Sequence, residues 1–175
     1  LVSYDATVFN GAAFQVVANP DLSGSNAVAS NVGEITNIGA AFEGFFFELG
    51  LPIDLTVDKS VKMNFWSNTP TSVLVKFENG TGPDVETSAN HGGTGWEEIY
   101  FTFNSANSFS TVTFFVDAAG TTSGTFYIDD VIQVNSNDIP CTETDLKLPI
   151  DFDCNGIDYA AKIVDTLNRF GPGRI

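Results

Sequence analysis

The feature that most constrains this chain is a two-residue alternation of apolar and polar side chains, repeated in short runs with turn residues between them. Val61, Met63 and Phe65 alternate with Lys62, Asn64 and Trp66. Val73, Val75 and Phe77 likewise point away from Lys76 and Glu78, and Ile99, Phe101 and Phe103 away from Trp96, Glu98, Tyr100 and Thr102. Successive side chains of a strand face opposite ways, so this period belongs to half-buried strands. Runs of the same kind predict strands at Ala13–Ala18, Ala27–Val32, Phe42–Leu49, Val61–Trp66, Ser72–Glu78, Trp96–Phe103, Thr111–Val116 and Gly124–Val134. Turn signals lie between them: Asn19-Pro20-Asp21, Leu51-Pro52, Asn68-Thr69-Pro70, Asn79-Gly80 and His91-Gly92-Gly93. No segment between the strands carries a 3.6-residue apolar period, so crossover helices are not expected. The fold class that follows is all-β, an antiparallel β-sandwich or barrel.

Composition supports this and narrows the partners. Phe and Gly each contribute 16 of the 175 residues, and aromatic and β-branched side chains suit a pleated surface. Such a length buries a core without disulfides or metal. Acidic residues outnumber basic ones 22 to 7, a net charge of −15 that repels nucleic acid and anionic lipid. No run of 18 apolar residues is present, so no membrane insertion is expected.

After Val134 the composition changes. Residues 1–135 read as one sandwich module, 136–147 as a linker and 148–175 as a C-terminal tail. Ile157-Asp158-Tyr159-Ala160-Ala161-Lys162-Ile163 echoes Val2-Ser3-Tyr4-Asp5-Ala6-Thr7-Val8, as a tandem repeat would. Leu148-Pro149-Ile150-Asp151-Phe152-Asp153 would then open the next repeat, and could fill an open sheet edge by strand addition within the same chain or by strand exchange between chains. Cys141 and Cys154 form no zinc pattern; a disulfide in an oxidising compartment and two free thiols both remain open. Asp151-Phe152-Asp153-Cys154-Asn155-Gly156 begins like an EF-hand or dockerin loop, but Lys162 stands where the twelfth position needs a bidentate Glu.

Catalytic patterns are weak. His91 is the only histidine and sits in a predicted loop, and no GxSxG accompanies it. A glycosidase needs two facing carboxylates; Glu97 and Glu98 are neighbours on one strand, which leaves Glu43 with Glu48, or Glu78 with Glu98. Binding patterns are stronger. Trp66 and Trp96 both fall on the polar faces of their strands, where an indole can lie against the apolar face of a sugar ring while Asn64, Glu78, Tyr100 and His91 hydrogen-bond its hydroxyls. Asp129 and Asp130 put two carboxylates in a late strand, only one of them facing inward, where a structural Ca²⁺ would compensate burial.

Residues 14–134 resemble the jelly-roll carbohydrate-binding modules of multimodular surface proteins and laminarinase-like enzymes of marine Bacteroidetes. The resemblance rests on Val16-Val17-Ala18-Asn19-Pro20-Asp21-Leu22-Ser23-Gly24, Leu51-Pro52-Ile53-Asp54-Leu55, Val61-Lys62-Met63-Asn64-Phe65-Trp66-Ser67, Lys76-Phe77-Glu78-Asn79, Gly95-Trp96-Glu97-Glu98 and Tyr127-Ile128-Asp129-Asp130-Val131. It implies a jelly roll without catalysis, a polysaccharide ligand with β-glucans such as laminarin preferred, neighbouring modules in the same polypeptide, and a structural calcium near the aspartate pair. It also implies secretion, with attachment at the outer-membrane surface. Where these modules often carry Trp ahead of a Phe-rich strand, this chain has Phe42-Glu43-Gly44. A structural or adhesive repeat without a sugar ligand is the competing expectation.

Overall fold

The structure is a computed structural model and describes residues 6–140. Its strands are β1 (Thr7–Phe9), β2 (Ala13–Ala18), β3 (Asn31–Ile38), β4 (Gly44–Asp54), β5 (Ser60–Ser67), β6 (Thr71–Glu78), β7 (Val85–His91), β8 (Gly95–Thr102), β9 (Ser108–Val116) and β10 (Ser123–Val134). They form two five-stranded antiparallel sheets, a first of order β1-β4-β9-β6-β7 and a second of order β2-β3-β10-β5-β8. Among the described residues the only helical pieces are the 3-10 turns Gly24–Asn26 and Ser136–Asp138, and no helix is long and apolar enough to cross a membrane.

The alternation does what the sequence promised. Val61, Met63 and Phe65 of β5, Ile99 and Phe101 of β8, and Phe126 and Ile128 of β10 meet Val73, Val75 and Phe77 of β6, Phe45 of β4 and Val112, Phe114 and Val116 of β9 between the sheets. Phe45 and Phe114 stack at 5.2 Å between centroids, and Phe65 and Phe126 at 6.0 Å. Each buried Phe contributes roughly 1.5–3 kcal/mol over an exposed one, so the phenylalanine excess is mainly core.

Four local expectations change, the first being the turn at Leu51-Pro52, which lies inside β4. The strand expected at Ala27–Val32 begins at Asn31, because residues 19–30 form a loop folded against the second sheet. Two strands, β1 and β7, were not anticipated. His91, expected in a loop, ends β7 and is 2% exposed. The expected linker beyond Pro140, both cysteines, the loop at 151–156 and the tail lie outside the described residues.

Candidate functional site

Each sheet has an outward face, and the two have different fates. On the second sheet, Gln15, Glu34, Tyr127, Trp66 and Trp96 form one cross-strand row through all five strands. The loop between β2 and β3 folds onto its tryptophan end. Trp66 Nε1 donates to Asp21 Oδ2 at 2.9 Å, and Trp96 Nε1 donates to the Asp21 carbonyl at 2.9 Å and to Asn19 Oδ1 at 3.2 Å. Asp21 is held below its ordinary value by the Ser23 hydroxyl and by the Trp66 indole. The loop then crosses to β10, where Asn26 Nδ2 and Ser30 Oγ donate to Asp129 Oδ2 at 3.0 and 2.9 Å.

The residues expected to hold a sugar therefore do not form one site. Trp96 is 3% exposed, and its polar strand face is covered by a loop from 77 positions away in sequence. Trp66 is half-buried against Tyr127 at 5.3 Å, its N–H already used. Asn64 is buried and donates to Asp130 Oδ2 at 3.0 Å. Tyr100, half-buried, hydrogen-bonds Glu98, and burial followed by that carboxylate pushes its phenol up to about 12. His91 lies beneath the surface: Nδ1 accepts from Gly93 N–H at 2.9 Å, which puts the proton on Nε2, 3.0 Å from the carbonyls of Phe65 and Gly95. Glu78 stands on the other sheet, so it cannot face Glu98 of β8. Glu43 cannot face Glu48 either: it is buried, and its carboxylate accepts from Ile38, Gly39 and Ala40 N–H at 2.7, 2.9 and 3.1 Å.

Among the described residues, the outward face of the first sheet is the more open one. Its first row is Phe9, Gly44, Phe115, Leu74 and Ser88; its second is Thr7, Phe46, Thr113, Lys76 and Glu86. A third comprises Glu48, Thr111 and Glu78. Phe9 meets Phe115 edge-on at 5.6 Å, and Phe42, just outside β4, meets Phe115 edge-on at 6.2 Å. Gly44 permits this closure, since a Cβ there would come within 2.7 Å of the Phe9 ring and 3.0 Å of Phe115. Beside the rings, Thr113 Oγ1 donates to Glu78 Oε2 at 2.6 Å and Thr111 Oγ1 to Glu48 Oε2 at 2.9 Å. Lys76 Nζ bridges Glu78 and Asp84 at 2.7 and 2.9 Å, and hydrogen bonds to those two carboxylates raise its pKa. Thr113 points outward yet is 4% exposed, so its neighbours stand above it. Aromatic faces beside fixed hydroxyl, carboxylate and ammonium groups suit a polyhydroxylated ligand: rings take C–H surface, polar groups take hydroxyls.

Phe42, 51% exposed, Phe46, Phe115 and Thr113 were not among the residues expected to bind. A partial signal existed, because alternation through Gly44-Phe45-Phe46-Phe47 turns Phe46, alone of the three phenylalanines, outward.

For calcium the residues fit in part. Asp129 is buried under the loop, its oxygens taken by Asn26, Ser30 and the Asp130 N–H. Asp130, exposed at the register break between β10 and β5, has capacity left, and beside it Asn64 Oδ1 is buried with no hydrogen-bond partner among the described residues. Among the described residues no three His, Cys, Asp or Glu side chains are grouped to hold a metal.

No protein-family model matches the chain, and no curated protein matches it. Solved structures do. A family 11 carbohydrate-binding module from Clostridium thermocellum in complex with a β-1,3-1,4-mixed-linked tetrasaccharide is 14% identical, with TM-score 0.50, over 77% of this chain and 90% of that one. A xylan-binding domain of family 22 is also 14% identical, with TM-score 0.50, over 77% of this chain and 89% of that one. An exo-β-agarase gives TM-score 0.60 and 11% identity over 96% of this chain, and an α-L-arabinofuranosidase gives 0.55 and 18% over 72%. The chain spans only 30% and 22% of those two enzymes. At these identities the likeness establishes the fold, an antiparallel sandwich of the jelly-roll type.

Proposed function

We propose that this domain is a non-catalytic carbohydrate-binding module that holds a neutral polysaccharide, a β-glucan such as laminarin first, along the outward face of its first sheet. The observation that carries the reading is the exposed ring of Phe42 standing beside Phe115, next to the bonded row of Thr113, Glu78 and Lys76. The mixed-linkage glucan and xylan bound by the two modules of the same fold lend support. Glu48, Glu78, Asp84 and Glu86 on or beside this face disfavour uronate and sulfate groups, which argues for a neutral chain. Glu78 is committed to an ion pair and Glu48 to a threonine hydroxyl, so neither is set up as a glycosidase acid. The natural setting is a secreted, multimodular protein at the outer-membrane surface, with neighbouring modules as its other partners. A structural Ca²⁺ would be held by Asp130 and Asn64 Oδ1, with Asp129 behind them.

Affinity electrophoresis or calorimetry against laminarin, mixed-linkage glucan, xylan, mannan, alginate and fucoidan tests the function. Binding in the millimolar-to-micromolar range, roughly −4 to −8 kcal/mol, is expected for a neutral glucan, without release of reducing ends. Failure to bind any of the six, in a folded protein, would refute the reading.

One observation favours strand addition between copies as a second reading. A cavity of about 660 Å³ opens between the sheets where β4 and β10 both break register, with Phe14, Leu49, Leu51, Phe114, Val131 and Ile132 among its walls. A monomer at all concentrations in gel filtration would remove that reading.

A further inference from the structure

Resting on the glycan-binding reading, we infer that Asn10 and Glu43 are positioning residues that hold Phe42 as a fixed post at the end of the glycan face. Phe42 has φ +56°, a backbone conformation that a residue with a Cβ adopts at a cost. Its peptide groups are fastened from both sides by separate loops. The Phe42 N–H donates to the Ala118 carbonyl at 2.5 Å, from the turn between β9 and β10. The Phe42 carbonyl accepts from Asn10 Nδ2 at 2.8 Å, from the turn between β1 and β2. The next residue, Glu43, turns inward, 1% exposed, and its carboxylate gathers the three N–H groups of Ile38, Gly39 and Ala40.

Two loops thus converge on one residue of a third, and the side chain they hold is half-exposed. A core residue would justify such anchoring by burial. Phe42 stays 51% exposed, with an edge contact to Phe115, so the arrangement makes sense if the ring's direction is what is being fixed. A ring oriented before binding loses less conformational freedom when a ligand arrives, and the gain appears as affinity. Asn10 is well placed to hold it, since it too has positive φ, at 55°, and its exposed side chain makes the bond to Phe42. Glu43 acts one step further back, shaping the turn from which Phe42 departs.

The test uses Asn10→Gly, which keeps the positive φ without strain, and Asn10→Asp, which keeps the shape but turns the donor into an acceptor. Each is measured by glucan titration, by thermal melting, and by ¹⁹F NMR of 4-fluorophenylalanine at position 42. The expected result is a fivefold or greater loss of affinity in both variants, little change in Tm, and a shifted or broadened ¹⁹F line. Glu43→Gln, which offers one acceptor oxygen to three N–H groups, should move the ¹⁹F line in the same direction, with a lower Tm. Unchanged affinity and an unchanged ¹⁹F line in the Asn10 variants would overturn the inference, as would affinity loss that merely tracks a fall in Tm. If the unsubstituted protein binds no glucan, the functional reading fails, while the ¹⁹F lines still decide whether Asn10 holds the ring.

Discussion

Replacing Phe42 by glycine and by alanine separates strain from contact at the proposed glycan face. Both substitutions remove a ring that is half-exposed and touches Phe115 edge-on. That loss costs about 1 kcal/mol, near half the value for full burial of a Phe. The substitutions differ in the backbone. Alanine keeps a Cβ at φ +56° and so keeps a penalty of roughly 1–2 kcal/mol. Glycine escapes the penalty but loses about 0.5–1 kcal/mol through the greater freedom of its unfolded chain. Phe42→Gly should therefore be more stable than Phe42→Ala by about 0.5–1 kcal/mol, which for a domain of this size is a Tm difference of roughly 2–4 °C. Differential scanning calorimetry of the two variants reads it directly. Glucan affinity should fall in both by about tenfold or more, the size of effect expected when an aromatic anchor is truncated. Strain at Phe42 is refuted if the alanine variant is the more stable, and the ring's place in the site is refuted if both variants bind as the unsubstituted protein does.

Other outcomes follow from the same geometry. Trp96→Ala, which empties a buried site and frees two acceptors, should cost about 3–5 kcal/mol; denaturant titration checks it, and whatever protein remains folded should still bind glucan. Thr113→Val removes the buried hydroxyl that fixes Glu78 and, by freeing that carboxylate, should weaken glucan binding severalfold in calorimetry while the sheet persists. Burial raises the pKa of Glu97, but the Gly92 and Thr94 N–H groups and the Thr94 hydroxyl outweigh it; Lys62 and then Tyr100 lower Glu98. Both folded values lie below the ordinary 4.5, so their stabilisation is complete above that pH and is lost as pH falls through the folded values. Urea midpoints should drop below about pH 4.5, less steeply in Glu97→Gln. If Ca²⁺ binds at Asp130, chelation should lower the Tm, and Asp130→Asn should abolish the chelator's effect.

How far the sequence could be read depended on whether a property was local. The faces of β5, β6 and β8 were legible because a core on one side imposes a period of two. β7 was missed because the residues it turns inward, Val85, Thr87, Ala89 and His91, are mostly small or polar, so the contrast with Glu86, Ser88 and Asn90 is faint. Ala27-Val28-Ala29 looked like a strand, yet tertiary contacts override its propensity: the chain must bring Asn26 and Ser30 over Asp129 before β3 begins. Polarity of a strand face was legible for Trp66 and Trp96, but exposure was not, because exposure depends on where Asn19 and Asp21 end up. The positive φ of Phe42 left no mark in a stretch reading Ala40-Ala41-Phe42-Glu43.

The contrast between the two outward faces bears directly on function. Both carry aromatic rings among polar groups, and by composition the second sheet, with both tryptophans, is the better sugar platform. Its indole N–H groups, however, are spent on Asp21 and Asn19, and the loop that supplies those acceptors covers the end of the sheet where the tryptophans stand. Trp96 is buried beneath that loop, so exposing the indoles would break these bonds and return a large apolar side chain to water. Among the described residues no loop covers the rings of Phe42, Phe46 and Phe115 on the first sheet in this way. Thr111 with Glu48, and Thr113 and Lys76 with Glu78, are satisfied by one another, in pairs that a ligand hydroxyl can join without breaking the fold. A binding face must be ordered before the ligand arrives and still have capacity left for it. Of the two, the face of Phe42, Phe46 and Phe115, with Glu78 fixed beside them by the buried Thr113, meets both conditions, and the face of the tryptophans meets only the first.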